Sequence, residues 1–427
     1  MSANTLPDIF SRLRKFGAPR FGAVFIGSFM IVAAKNGLDG VFFPLLYSED
    51  AGNIFKNFYY RNEWQNIFTV YASYIRVFPY LIGYLLGFLP LQIILPLYCL
   101  ISICMTALAY SIFYPVLNHF FNDRRFSAYS VLAISALPLA NFQLTEVLMF
   151  QIWHSVLILF LLALLPVPNN PWPRAGVTLA AHLMIWTHPY SIMALPLFFW
   201  QMASRQEHRW TQAGFVASAI LYYLIAVERQ PMHFGSIEFL IPNLLARVVC
   251  ESLIGPNNRV HLQYLEGINI LAVLMLITVA ATLFLAWEKW HAEQKWFLAV
   301  CLYLILIPMA AALVSRDLGE YYHLLRGSPR YVYIPKLFFT VILLVTAREI
   351  FIRSAWLHQL RWALAILLLF VNSNSNVLYN TNRNMDRENL RFMRQLQSGT
   401  VPCGPGEEKI IYLDRGQWVL PINLCRH

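Results

Sequence analysis

Long apolar runs separated by short charged stretches repeat along most of the chain. They fall at Phe21–Lys35, Pro90–Tyr114, Ala128–Leu144, Ile152–Leu165, Ala175–Thr187, Tyr190–Ala203, Phe215–Val227, Ile268–Trp287, Trp296–Val314, Pro335–Thr346 and Trp362–Val371. A bilayer crossing takes about 20 apolar residues, fewer where interface side chains extend the ends. The pattern therefore predicts an all-α polytopic membrane protein of about eleven transmembrane helices. Thr187-His188-Pro189-Tyr190 divides a stretch too long for one crossing. Proline disfavours helix at the residue before it, so two short helices meeting there are expected rather than one kinked span.

The connections between the runs set a direction. Arg12, Arg14, Lys15 and Arg20 precede the first run, and Arg124, Arg125, Arg174, Arg205, Arg209, Lys289, Lys295, Arg348, Arg353 and Arg361 fall in alternate connections. The short connections between them, Asn141 to Gln151 and His188-Pro189, carry no Lys or Arg. The positive-inside rule then puts the N-terminus in the cytoplasm and, with an odd number of spans, the C-terminus outside. The first run has no small-residue cleavage site behind it, so no removable signal peptide is expected. Three polar segments, 36–89, 228–266 and 316–333, become outer loops of a module spanning 1–371, and 372–427 becomes a short periplasmic segment. In the first outer loop, the spacing of Ile54, Phe55, Phe58 and Tyr59, and of Trp64, Ile67, Phe68 and Tyr71, suits short amphipathic helices lying in the interface. Lys409-Ile410-Ile411-Tyr412-Leu413 in the tail reads as a strand.

Composition agrees. Of 427 residues, 58% are hydrophobic, 15% aromatic and 13% charged, against about a quarter charged in soluble domains. A net charge of +10 raises nucleic acid as a partner, but the positive residues lie between hydrophobic runs, where they orient the chain and contact anionic lipid. Nucleic acid is set aside. Cys99, Cys104 and Cys301 sit in apolar runs as small hydrophobes, and Cys250 is expected in a loop. Cys403 and Cys425 are able to pair if the tail lies in an oxidising space.

Candidate chemistry begins at Glu49-Asp50, an acidic pair just after the first run. A carboxylate facing a watery pocket takes a proton from an acceptor hydroxyl as that oxygen attacks a sugar carbon, while its neighbour orients the acceptor or holds a cation. The plainer reading is a solvated turn helped by Gly52. Arg330-Tyr331 lies at the outer mouth of a late span, where a guanidinium grips a phosphate with two parallel hydrogen bonds; an Arg-Tyr interface anchor is the plainer alternative. Arg76, with Tyr74, Pro79 and Tyr80 around it, and Arg247, Arg259 and His261 are further cations on the same face. Glu146, Gln151 and His154 cluster at an outer turn, with His182 and His188 on the next span. A membrane histidine is most often packed and hydrogen-bonded. No residue spacing matches a closed zinc site, a phosphate-binding glycine loop or a nucleophile elbow.

The sequence order of these features resembles the bacterial GT-C superfamily of polytopic glycosyltransferases. The features are one span, an outer acidic pair, amphipathic interface helices, Tyr74-Ile75-Arg76-Val77-Phe78-Pro79, Glu146 to Trp153, Thr187-His188-Pro189 with Leu195-Pro196-Leu197-Phe198, Arg330-Tyr331, and Gly416-Gln417-Trp418. The resemblance implies an inner-membrane enzyme that moves a sugar, with inversion, from a polyprenyl-phosphate donor to an envelope glycan or lipid acceptor on the periplasmic side. It implies Asp50 or Glu49 as the base and Arg330, with Tyr331 and Arg76, as the donor-phosphate site. Glu146, Gln151, His154 and His188 are then candidates for acceptor or substrate binding. No cofactor is required by the resemblance, and a divalent cation is left open. A large soluble outer domain, present in the best-defined members, is missing. The alternatives are a flippase for a lipid-linked saccharide and an O-antigen-type polymerase or ligase.

Overall fold

A computed structural model describes residues 18–36, 50–59, 63–71, 73–137, 139, 145, 147–204, 208–227, 241, 244–254, 267–315, 332–353, 408–413 and 418–423. It is mostly helical. The described helices are α1 (Ala18–Asn36), α2 (Val77–Leu86), α3 (Leu91–Ser111), α4 (Phe113–Phe121), α5 (Arg124–Ala136), α6 (Gln151–Leu162), α7 (Pro171–Ile185), α8 (Leu195–Ser204), α9 (Arg209–Ala226), α10 (Gly267–Trp287), α11 (Ala292–Ser315) and α12 (Tyr333–Arg353). Ten of the eleven apolar runs overlap described helices, though Ala128–Leu144 extends past the end of its helix at Ala136 and Tyr190–Ala203 begins in a 3-10 turn; the last, Trp362–Val371, lies outside the described residues. Among the described residues, two stretches are long and apolar enough to cross a membrane by length and composition: Ile93–Phe121 (29 residues) and Ala292–Ala311 (20 residues).

The expected break at Thr187-His188-Pro189 is present. Helix α7 ends at Ile185, and the chain resumes as a 3-10 turn, Pro189–Ala194, that feeds α8. Helix α2 was not expected from the sequence. Between α1 and α2 lie a π-helical turn (Asp50–Phe55), one helical turn (Lys56–Tyr59), a 3-10 turn (Trp64–Phe68) and a two-residue hairpin, β1 (Val70–Tyr71) with β2 (Tyr74–Ile75). Ser73, at the hairpin turn, has φ 76, a left-handed conformation that a non-glycine residue adopts at a cost. Ile54, Phe55, Phe58 and Ile67 turn inward, while Trp64 and Phe68 face out, the partition expected of interface helices. The segment Leu244–Cys250, expected as loop, is a π-helical turn running into Glu251–Ile254.

Helices α1, α3 and α5 pack on one another through small polar residues. The Ser28 and Ser135 hydroxyls lie 2.7 Å apart, and Ser28 Oγ also donates weakly to the Ala107 carbonyl at 3.4 Å. A Cβ on Gly27 would sit 3.0 Å from a Leu132 methyl. Small side chains let helix backbones approach where lipid supplies no hydrophobic drive. The Ser and Thr hydroxyls inside α3, at Ser102, Thr106 and Ser111, each donate to the carbonyl four residues back, which removes unsatisfied donors from an apolar bundle. At the far end of α5, Asp123 caps the helix by accepting from the Phe126 amide at 2.9 Å, and Arg348 of α12 reaches it at 3.7 Å. The expected tail strand exists as β3 (Glu408–Leu413), paired antiparallel with β4 (Trp418–Asn423). Strand β4 runs beside the Asp50–Phe55 turn.

Helix α2 meets that same turn closely. A Cβ at Gly83 would land on Ile54 and 2.8 Å from the Phe58 ring. Gly83→Ala is therefore expected to destabilise the fold by about 1–3 kcal/mol through overpacking, measured as a lowered unfolding midpoint in detergent, whereas Gly176→Ala, where nothing stands within 4 Å, leaves the midpoint unchanged or raised.

Candidate functional site

The amides of Leu148 and Met149 open the 3-10 turn (Leu148–Phe150) that leads into α6. Amides in a first helical turn have no carbonyl of their own helix to bond. Asp50, almost a hundred residues earlier, supplies the acceptors: Oδ2 takes the Leu148 amide at 2.9 Å and Oδ1 the Met149 amide at 2.7 Å. Asp50 is 3% exposed. A carboxylate so placed makes two charge-assisted bonds and meets the positive end of the helix dipole. Lys35, at the end of α1, acts similarly on the preceding helix. Its Nζ donates to the Ser135 carbonyl at 3.2 Å and the Leu137 carbonyl at 2.6 Å, at the C-terminal end of α5. Opposite charges from one short stretch of chain thus hold the two helix ends that flank segment 138–147.

The first turn of α6 carries Gln151, Trp153 and His154, all buried. Gln151 Nε2 donates to the Val147 carbonyl at 3.3 Å, and the Gln151 carbonyl accepts from Ser155 Oγ at 3.0 Å. Successive residues on a helix point about 100° apart, so Trp153 and His154 serve different neighbours. The Trp153 ring lies 4.8 Å from His188 and 5.4 Å from Tyr190. His188 is also 5.0 Å from Tyr74. Its Nδ1 accepts the Tyr190 amide at 3.1 Å, which caps the 3-10 turn and puts the ring proton on Nε2.

Arg76 completes this group. Its guanidinium carbon lies 4.5 Å from the Tyr71 ring centre and 4.7 Å from that of Tyr74, distances at which ring faces attract a cation. The two tyrosines come from opposite strands of the β1–β2 hairpin, where Tyr71 pairs with Tyr74. The hairpin itself is tied down. Tyr222 Oη of α9 donates to the Ile75 carbonyl at 2.7 Å, the Val77 amide donates to the Trp186 carbonyl at 3.2 Å, and the Phe78 amide donates to Thr187 Oγ1 at 3.2 Å. The position of Arg76 thus follows from the break between α7 and α8.

His154 faces the other way. Its ring lies 5.1 Å from Tyr333 of α12 and 6.1 Å from Tyr110 of α3. One turn along α12 from Tyr333, the Lys336 ammonium meets Glu251 Oε2 at 2.6 Å, and Arg247 Nε stands 3.9 Å from Glu251 Oε1. All three charged side chains are buried. They fasten the 244–254 segment to α12.

Five of the residues nominated from sequence, Asp50, Arg76, Gln151, His154 and His188, are thus gathered around the first turn of α6. Glu49, Glu146, Arg330 and Tyr331 lie outside the described residues. The sequence reading missed Tyr110, Tyr333, Lys336 and Glu251. For Lys336 a signal existed: a lone lysine inside an apolar helix is costly and needs a partner. For Glu251 the signal was Arg247 one helical turn before it. Among the described residues, no group of three His, Cys, Asp or Glu is placed to hold a metal ion. Chemically the arrangement offers a guanidinium fork for an anion, a wall of aromatic rings for an apolar or sugar face, and an imidazole N–H donor.

No protein-family model, characterised protein or solved structure matches the chain.

Replacing Lys336 by Met should take from buried Glu251 its ammonium partner at 2.6 Å, at a cost of up to about 3–5 kcal/mol. The triple variant Lys336→Met/Glu251→Gln/Arg247→Met, which removes all three charges of the group, should recover most of it. Thermal unfolding of the wild type and the two variants in one detergent provides the comparison, and equal midpoints for single and triple variants would contradict it.

Proposed function

We propose that this chain is a polytopic glycosyltransferase of about eleven spans in a bacterial inner membrane, with its N-terminus in the cytoplasm and its C-terminal segment in the periplasm. It moves a sugar, with inversion, from a polyprenyl-phosphate donor to an envelope glycan or lipid acceptor. The observation that carries the reading is the chain of contacts from Arg76, with Tyr71 and Tyr74 against its guanidinium, through Tyr74 to His188 and from there to Tyr190 and to Trp153, which lies on the helix whose start is bound by Asp50. The membrane setting is supported by the two long apolar helices and by exposed apolar side chains on other helices, among them Ile26, Leu224, Ile277 and Phe284. Apolar faces of that kind suit contact with lipid tails.

In this reaction the acceptor hydroxyl gives its proton to an acidic side chain of the first outer loop as its oxygen attacks the anomeric carbon. The bond from that carbon to the donor phosphate oxygen breaks on the opposite face, and the electron pair leaves with the lipid phosphate. Arg76 balances the charge that grows there, and the sequence adds Arg330 and Tyr331 as further phosphate contacts. A fixed cation at a developing anion lowers the barrier most when water is excluded. The ring surfaces of Trp153 and Tyr190 hold the sugar by its C–H face, with Gln151, His154, His188 and Glu146 as candidate hydroxyl partners.

The purified protein in proteoliposomes, given polyprenyl-phosphate-linked radiolabelled sugar and a membrane extract as acceptor source, is expected to transfer label and release free polyprenyl phosphate. Arg76→Ala should lower that rate by about a hundredfold, within the 2.7–4 kcal/mol range (about 10²–10³-fold) seen when one charge-stabilising donor is removed. Movement of intact lipid-linked sugar across the membrane without its cleavage would replace the enzyme by a flippase.

A further inference from the structure

The geometry around Asp50 gives that residue a task of its own. We infer that Asp50 is a positioning residue: it works through the helix it binds, aligning the first turn of α6 so that Trp153 and His154 each reach their partners. The inference rests on the glycosyl-transfer reading for its chemistry, though not for its structural half.

Three observations carry it. Both carboxylate oxygens accept main-chain amides, at 2.9 and 2.7 Å, and the side chain is 3% exposed. A group that removes a proton must lie within hydrogen-bond reach of the hydroxyl it serves, and these oxygens point at the start of a helix. Next, the amides it binds belong to the 3-10 turn immediately before Gln151, Trp153 and His154, so a shift at that turn displaces both aromatic–imidazole groups together. Finally, the Asp50–Phe55 turn is itself wedged against α2 at Gly83, and α2 follows directly on the hairpin that holds Arg76. Asp50 therefore joins the cation side of the site to the helix side. Displacement of reacting groups by about 1 Å costs on the order of a hundredfold in rate, which is the scale on which a positioning residue acts.

The distinguishing experiment compares the full-length wild type with Asp50→Asn and Asp50→Ala in lipid nanodiscs. Asparagine keeps one acceptor oxygen for the helix but takes no proton; alanine keeps neither function. Hydrogen exchange by mass spectrometry is followed over 147–156, and sugar transfer is followed across pH 5 to 8. A positioning role predicts faster exchange at the Leu148 and Met149 amides, about tenfold in the asparagine variant and more in the alanine variant, since losing one such bond changes the opening equilibrium by about that factor. It predicts that the asparagine variant keeps transfer within about tenfold of wild type with an unchanged pH profile, while alanine falls about a hundredfold. Unchanged exchange in both variants overturns the inference. So does an asparagine variant as inactive as alanine, because a lost base is not replaced by an amide. Should the wild type transfer no sugar, the glycosyl-transfer reading fails while the exchange data still decide whether Asp50 holds the helix.

Discussion

A buried carboxylate bound to two amides at the start of a helix is the contact on which the arrangement of this protein turns. Asp50 reaches across almost a hundred residues to bond the Leu148 and Met149 amides. Without an acceptor those amides would be buried donors with no bond, each costing about 1–3 kcal/mol. The helix they open carries the residues that meet α3, α12, and the α7–α8 break. Lys35 performs the opposite task at the C-terminal end of α5. The two ions complement the two signs of the helix dipole. The last turn of the first helix and the segment that follows it thereby fix where two later helices end and begin.

Around that contact the bundle accommodates polar groups among apolar ones. Backbone and side-chain polar groups in an apolar setting must be satisfied within the protein. Hydroxyls in α3 and α5 bond carbonyls of their own helices, and Ser28 and Ser135 meet across the α1–α5 contact. A costlier arrangement is the buried Lys336, Glu251 and Arg247 group. Its charges are tolerated because they lie together, and they tie the 244–254 segment to α12. The cation at the candidate site is handled differently. Arg76 is flanked by tyrosine faces, which moderate its charge while leaving the guanidinium its geometry for an anion.

The helices were legible in the chain because apolar runs are a one-dimensional property, and ten of eleven such runs overlap described helices. Helix α2 was not, because Val77–Leu86 follows directly on the aromatic and charged residues of the hairpin and is too short to read as a crossing. Arg76 and His188 were chosen from their types and their neighbours in the sequence, yet nothing in the chain places them near one another. They meet because α7 stops at Ile185 and Thr187 takes the Phe78 amide. Lys336 was hidden for a different reason: an apolar run with one lysine still reads as an apolar run, and only its bond to Glu251 shows how that lysine is accommodated.

By itself the sequence determined the helical class, the segments that become helices, the break before Pro189 and the residue types able to handle phosphate and sugar, since each depends on local composition and spacing. Tertiary structure alone decided that Asp50 faces amides of a distant helix, that Arg76 lies between two tyrosines, and that His154 and Trp153 serve different groups. Those outcomes depend on which non-neighbouring surfaces come into contact. Long-range packing sets them, and no periodicity along the chain encodes them.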